Sequence, residues 1–449
     1  MIIFFIILIG FGFLLMLSIS LKDGALSPLF LFMAFTAVGV LVRAFQLVSE
    51  AGSELVLAPW VLGRELESSV FISLIELFVA LTIIFSVAYI IRLNNGVGVE
   101  EVKVPDLLKA HVLTRRQSIF LVIIGVGSIA LFFGVMSYLQ GGLFDMVLVF
   151  QSRSVPALSG RGYAGLFADI PVVVTLFLAF NCFRRKVQNF KYKGKWEFYG
   201  MLILTLVMLV VMGGRGALLQ FLLMIGIIYY ACKQWRVKIS WSLFLVLLIS
   251  FVVVVAGLAS RHSAQNQKPL VESISTVSEN LSATLSAPFA LLDHYMLLKV
   301  YVDNRGFDYG MQYISYLVRP IPRSVWADKP VPLALKIRQM FWGDMEGGIP
   351  PTVFGEFFVA FGYFGVFLGC IILGAALGFL GRLFRASFND PAQSVLYALI
   401  AVTVVFSVVR TGVEITFVKI LIYMAVAMGL NLIFKLRIRR VSEKPQCLY

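Results

Sequence analysis

Residues 69–91 read SVFISLIELFVALTIIFSVAYII, an unbroken apolar run with a single charge, Glu76. At about 1.5 Å of rise per residue, a helix of that length covers about 34 Å, enough to cross a hydrocarbon core of about 30 Å. Such runs recur along the whole chain. They fall at roughly 2–21, 26–47, 69–91, 118–139, 164–183, 198–212, 217–231, 240–259, 354–380, 395–409 and 413–434, which is eleven spans. Bulk composition agrees: the 449 residues are 60% hydrophobic and 14% charged, with a mean hydropathy of +0.92. Soluble domains are only about 45 to 50% apolar. A soluble globular enzyme is excluded, and an all-α polytopic membrane protein is expected. The first run starts at Met1 without a basic leader, and Leu21-Lys22-Asp23-Gly24 offers no small-residue cleavage site, so it reads as a retained helix.

Alternating the loops sorts the basic residues into two sets. One holds 22 Lys and Arg, including Arg184-Arg185-Lys186 and the basic tail from Lys435 to Lys444; the other, leaving aside one long loop, holds 7. Basic loops favour the cytoplasm, which puts the N-terminus outside and the C-terminus inside. The formal net charge of +14 then reflects cytoplasmic loops and not nucleic acid, which is not expected as a partner. Membrane lipids are. Cys182, Cys232, Cys370 and Cys447 show no CxxC spacing, so neither a disulfide framework nor a zinc site follows. There is no Walker P-loop, HExxH or EF-hand, and neither a metal nor another cofactor is expected.

This divides the chain into 1–259 with eight spans, a long outer loop at 260–352, 353–434 with three spans, and a basic cytoplasmic tail at 435–449. The loop carries 9 Lys/Arg against 8 Asp/Glu, a net charge of only +1. Within it, 288–302 and 332–342 have the spacing of amphipathic helices, so a small helical cap lying on the membrane is expected.

The sixth and seventh spans are short and meet at Gly213-Gly214-Arg215-Gly216. About 15 residues give about 22 Å of helix, so this hairpin tip should lie below the outer surface with Arg215 partly buried. A guanidinium in low dielectric is costly unless it meets an anion, and glycine backbone N–H groups can approach the same anion. The plainer alternative is a tight turn with Arg215 snorkelling to headgroups. Arg410 closes the tenth span, before Thr411-Gly412-Val413-Glu414. In the long loop, Arg319, Arg323 and Lys329 stand among three prolines that stiffen their presentation, and Arg261 ends the eighth span. Together these six cations suit a diphosphate, because arginine bonds phosphate oxygens in pairs.

Candidate proton acceptors on the same side are Glu356, Asp293, His294, Glu414, Asp169 and His262. Asp169 precedes Pro171 near a span's start and reads as a helix cap. Asp293 and His294 lie on an amphipathic stretch, where a solvated face is the plain reading. Glu356 opens the ninth span, where a carboxylate is expensive unless paired or wet, and it is the strongest of the set. The clearest charges within spans, Glu76 and Lys419, both fall in the outer half, which favours chemistry at the interface over a midplane transport site.

The Gly213-Gly214-Arg215 hairpin, the stretch from Arg319 to Pro330, the run from Pro350 through Glu356 to Gly365, Arg410 and the late outer loop resemble the bacterial O-antigen polymerases, the Wzy-type oligosaccharide repeat-unit polymerases. The resemblance implies a GT-C-like membrane glycosyltransferase in the bacterial inner membrane. Its substrates would be two undecaprenyl-diphosphate-linked glycans, and a polysaccharide chain-length regulator is an expected partner. The growing chain would be donor, a non-reducing-end hydroxyl of the incoming unit would attack its anomeric carbon, and undecaprenyl diphosphate would leave. Arg215 and Arg410 would hold the donor diphosphate, with Arg319 and Arg323 contributing and Arg261 and Lys329 nearby. Rival readings are an O-antigen ligase, a polymerase for enterobacterial common antigen or capsule, and, from another class, a lipid-linked glycan transporter.

Overall fold

The computed structural model describes residues 2–21, 27–48, 66–93, 113–142, 146, 164–187, 195–212, 215–232, 291–318, 325, 326, 328, 330–343, 349–386 and 391–442. Every regular element among them is a helix. In chain order they are α1 (Ile2–Leu21), α2 (Pro28–Val48), α3 (Leu66–Leu93), α4 (Arg115–Gln140), α5 (Ala164–Val187), α6 (Lys195–Val211), α7 (Arg215–Cys232), α8 (Leu291–Arg305), α9 (Met311–Leu317), α10 (Leu333–Trp342), α11 (Val353–Ala386), α12 (Pro391–Thr403) and α13 (Val413–Ser442). α12 runs on through a π-helical turn at Val404–Val408 into the short Val409–Thr411.

Seven described helical stretches are long and apolar enough to cross a membrane: Ile3–Leu21, Pro28–Phe45, Ser68–Leu93, Arg115–Gln140, Phe167–Arg184, Val353–Gly381 and Ala392–Thr411. Gly216–Cys232 and Thr416–Leu430 are shorter apolar helices. The chain is a polytopic membrane protein. A described helix falls on each span read from hydropathy except the eighth, 240–259, which lies outside the described residues. α6 and α7, at 17 and 18 residues, are longer than the expected 15. At about 26 Å they still fall short of a hydrocarbon core of about 30 Å.

Two packing groups make the bundle. α1, α2, α3 and α11 form one, with α8 set among them; α4, α6, α7, α12 and α13 surround α5 in the other. Local sequence explains several ends. Thr114 caps α4 through a reciprocal box with Gln117, and Gly141 closes it in the left-handed conformation. Pro171 lies inside α5; one turn on, the Thr175 hydroxyl bonds the Pro171 carbonyl and meets the Thr205 hydroxyl of α6 at 2.9 Å.

α3 packs tightly on α11, and two glycines spaced by four allow it. A Cβ on Gly374 would stand 2.7 Å from the Ile84 carbonyl oxygen, and one on Gly378 would stand 3.0 Å from Ile91. Small residues at this spacing let helix backbones touch where lipid supplies no hydrophobic drive. Gly374→Val is therefore expected to wedge α3 from α11 and to lower stability by about 2 kcal/mol, read as a drop in unfolding midpoint in detergent.

α11 is not one continuous helix. Phe361 (φ −148°, ψ 23°) and Gly362 (φ 63°, ψ −144°) break it one turn past Glu356. Only glycine is at ease in the second of these conformations. The interruption would leave main-chain carbonyls without intrahelical partners, and Val359 O accepts instead from the Asp308 N–H at 2.9 Å.

Candidate functional site

The turn between α12 and α13 follows Arg410 and meets Glu356. Gly412 holds φ 87°, ψ −174°, and an added Cβ would collide with the Glu356 carboxylate. Glu356 lies in the first turn of α11 and is wholly buried. Its Oε1 accepts the Tyr316 hydroxyl at 2.8 Å and its Oε2 accepts the Val413 backbone N–H at 2.7 Å. Val413 opens α13, so a carboxylate borrowed from α11 stands where that helix's unpaired N–H groups and dipole favour negative charge. The Glu356 carbonyl also accepts from Gln312 Nε2 at 2.9 Å, which ties α9 to the same residue twice.

Arg410, two residues before Gly412, is partly buried. Its Nη1 lies 3.2 Å from where a Cβ on Gly216 would stand. Gly216 follows Arg215, the first residue of α7, so the guanidinium of one candidate rests against the backbone beside the other. The side chain of Arg215 lies outside the described residues, as do Arg261, Arg319, Arg323, Lys329, His262 and the Glu414 side chain.

α8 carries the candidates Asp293 and His294. It has 15 residues, too few to span, and Leu291, Leu292, Tyr295, Met296, Leu297, Leu298, Tyr301 and Val302 are buried along with Asp293. The expected membrane-surface helix with a solvated Asp293 face is thus corrected: α8 is enclosed by α2, α3 and α11. Its charged side chains are there to meet buried partners. Arg43 of α2 grips Asp293 in two bonds, Nε to Oδ2 at 2.5 Å and Nη2 to Oδ1 at 3.0 Å, with both side chains almost wholly enclosed. Burial raises the Asp293 carboxyl, and the Arg43 hydrogen bonds and charge oppose that rise. His294 is near Arg410 and Arg43; burial first, then these two cations, push its imidazole down to about 4. It is therefore neutral at physiological pH. Further along, Lys299 Nζ bonds both oxygens of Glu76 at 2.9 Å, and the Tyr363 hydroxyl donates to Glu76 Oε1 at 2.8 Å.

α10 follows the amphipathic expectation, burying Leu333, Ile337 and Phe341 as one stripe. Asp169 does not cap a helix: it is inside α5, and its carboxylate meets the Tyr423 hydroxyl near Lys419 of α13. No group of three His, Cys, Asp or Glu among the described residues is arranged to hold a metal ion.

Arg43, Lys299 and Tyr316 belong to this region and had no place among the candidates. Two of them carry a readable signal. Arg43 is the one charge of α2 and Glu76 the one charge of the apolar run 69–91, and Asp293 and Lys299 are charges of opposite sign on the mostly apolar α8. Low dielectric demands that such charges find each other. Comparison with protein-family models gives no match, and none is found among curated proteins or solved structures.

Proposed function

We propose that the chain is a membrane glycosyltransferase of the O-antigen polymerase type, joining undecaprenyl-diphosphate-linked repeat units at the periplasmic face of a bacterial inner membrane. In this reading eleven spans form a GT-C-like bundle with the N-terminus periplasmic and the C-terminus cytoplasmic. The observation that carries it is the seat of Arg410 against the Gly216 backbone, beside Arg215. The helix end that carries Arg410 meets the first turn of α7, which begins with Arg215, a placement suited to an anion with several oxygens.

The chemistry is substitution at the donor's anomeric carbon. The acceptor hydroxyl oxygen forms the new C–O bond, the bond from that carbon to the diphosphate oxygen breaks, and the electron pair leaves with undecaprenyl diphosphate. Arg410 and Arg215 stabilise the charge that develops there. Of the candidate bases, Asp293 is held by Arg43 and Glu356 by Tyr316 and Val413. Neutral His294, near Arg410, takes the hydroxyl proton. Its low basicity is sufficient because the hydroxyl grows acidic only as it bonds an oxocarbenium-like carbon. Arg319, Arg323, Arg261 and Lys329 add to the diphosphate pocket, and a chain-length regulator is the expected protein partner.

One observation favours a transporter: α11 is broken, as helices around transported solutes are. Here the break is occupied by the Phe307 ring, 3.1 Å from where a Cβ on Gly362 would stand. That leaves the polymerase reading ahead.

The test is purified protein in nanodiscs with synthetic lipid-linked repeat units and neither nucleotide nor metal, the products sized on a gel. A ladder is expected. Arg410→Ala should slow extension at least about 100-fold, the effect of removing one oxyanion-type donor. Extension at the unmodified rate by well-folded Arg410→Ala would sink the proposal, and single transfer to a lipid A core acceptor without growth would mark a ligase.

A further inference from the structure

A polymerase must hold an acceptor glycan as well as a donor diphosphate, and the break in α11 supplies a surface for one. Between α8 and α9 the chain turns through Gly306, Tyr309 and Gly310, all with positive φ (78°, 47° and 80°). A tyrosine in that conformation is strained, and Tyr309 is 74% exposed. The loop is fixed from two sides: Asp308 donates its N–H to the Val359 carbonyl freed by the break, and its carboxylate pairs with Lys336 of α10 at 3.4 Å. The Phe361 ring reaches the loop as well, 3.3 Å from where a Cβ on Gly310 would stand. Phe307 meets both Tyr309 and Phe358 edge-on at 6.3 Å between centroids, and Phe358 meets Tyr363 at 5.2 Å.

Polar groups border these rings among exposed apolar neighbours such as Met311, Ile314 and Phe364. Asp303, Asn304 and Arg305, immediately before the loop, are exposed. The Tyr363 hydroxyl is anchored on Glu76, which Lys299 also holds, and both members of that ion pair retain partial exposure. Aromatic rings that face acyl chains do not need a charged rim or a strained loop to display them. A sugar needs both features, since a pyranose has an apolar C–H face that lies on a ring and hydroxyls that seek fixed polar groups.

We infer that Phe307, Tyr309, Phe361 and Tyr363, rimmed by the Glu76–Lys299 pair, form the platform on which the acceptor glycan's sugars stack. This rests on the polymerase reading for the identity of the glycan, but its test does not depend on activity. The probe is the oligosaccharide released by mild acid from the host cell's polyprenyl-diphosphate pool, with binding to the full chain in nanodiscs read by saturation-transfer NMR. Inorganic pyrophosphate serves as a second probe, for the arginines.

Tyr309→Asn keeps the loop, because asparagine tolerates positive φ, and removes the ring. Oligosaccharide binding is expected to weaken about tenfold, a step of about 1.4 kcal/mol, with pyrophosphate binding unchanged. Phe307→Ala should do the same, Tyr309→Phe should bind normally, and Arg410→Ala should lose pyrophosphate alone. If Tyr309→Asn and Phe307→Ala melt normally and bind the oligosaccharide as the unmodified chain does, the rings are lipid anchors and the inference is overturned. Absence of saturation transfer from the unmodified chain to the oligosaccharide overturns it equally. Loss of oligosaccharide binding in Tyr309→Asn, in a protein that never binds pyrophosphate, upholds the glycan platform and removes the diphosphate site instead.

Discussion

Arg43→Ala is expected to lower stability by about 3–5 kcal/mol, enough to unfold a marginal membrane protein in detergent at room temperature. The reason is what it leaves behind. Asp293 is 2% exposed and both of its oxygens are bonded to Arg43, so truncating the guanidinium strands a carboxylate in the middle of the α2, α3 and α11 packing group. Asp293→Asn alone leaves a charged guanidinium facing a neutral amide and should cost less, because the amide oxygen still accepts one bond. Removing both charges discriminates further. Arg43→Met combined with Asp293→Leu should recover most of the loss and fall well short of the sum of the single effects, as buried pairs replaced by apolar residues commonly do. Unfolding midpoints of Arg43→Met, Asp293→Leu and the double measure this directly. Strict additivity would show that the pair is no coupled unit and that α8 is held by its apolar contacts alone.

The spans were legible because lipid leaves so few options. Every backbone polar group must be paired within its own helix, so apolar runs such as 69–91 can be little else. Both helix ends that meet near Gly216 carry a cation beside glycine, and that much was legible. What stayed hidden was the pairing. That Asp293 belongs to Arg43 and Lys299 to Glu76 depends on how α8 inserts between helices more than 200 residues away in sequence, and an amphipathic pattern describes a surface helix equally well. The break at Phe361–Gly362 was hidden too, because a glycine in an apolar span more often eases helix packing, as Gly374 and Gly378 do. Glu356 is legible for its cost, and two hydrogen-bond donors at a helix start, the Tyr316 hydroxyl and the Val413 N–H, offset its carboxylate.

That arrangement makes Gly412→Ala the second large effect. Two costs fall together: φ 87°, ψ −174° is a conformation open to glycine, worth about 1–3 kcal/mol to any L-residue, and the new Cβ would strike the Glu356 carboxylate. Relief requires moving either Glu356, which gives up Tyr316 and the Val413 N–H, or the turn itself, which carries Arg410 away from Gly216. A total of about 3–4 kcal/mol is expected. The two routes of relief separate in a second variant. Glu356→Ala removes the obstacle, so adding Gly412→Ala to it should cost only the backbone share, about 1–3 kcal/mol, and the coupling should exceed about 1 kcal/mol. If the turn is what moves, Gly412→Ala should also reduce pyrophosphate binding as Arg410→Ala does, and Glu356→Ala should restore it. A Gly412→Ala protein that melts and binds pyrophosphate normally would mean that Glu356 neither crowds this turn nor fixes the arginine beside it.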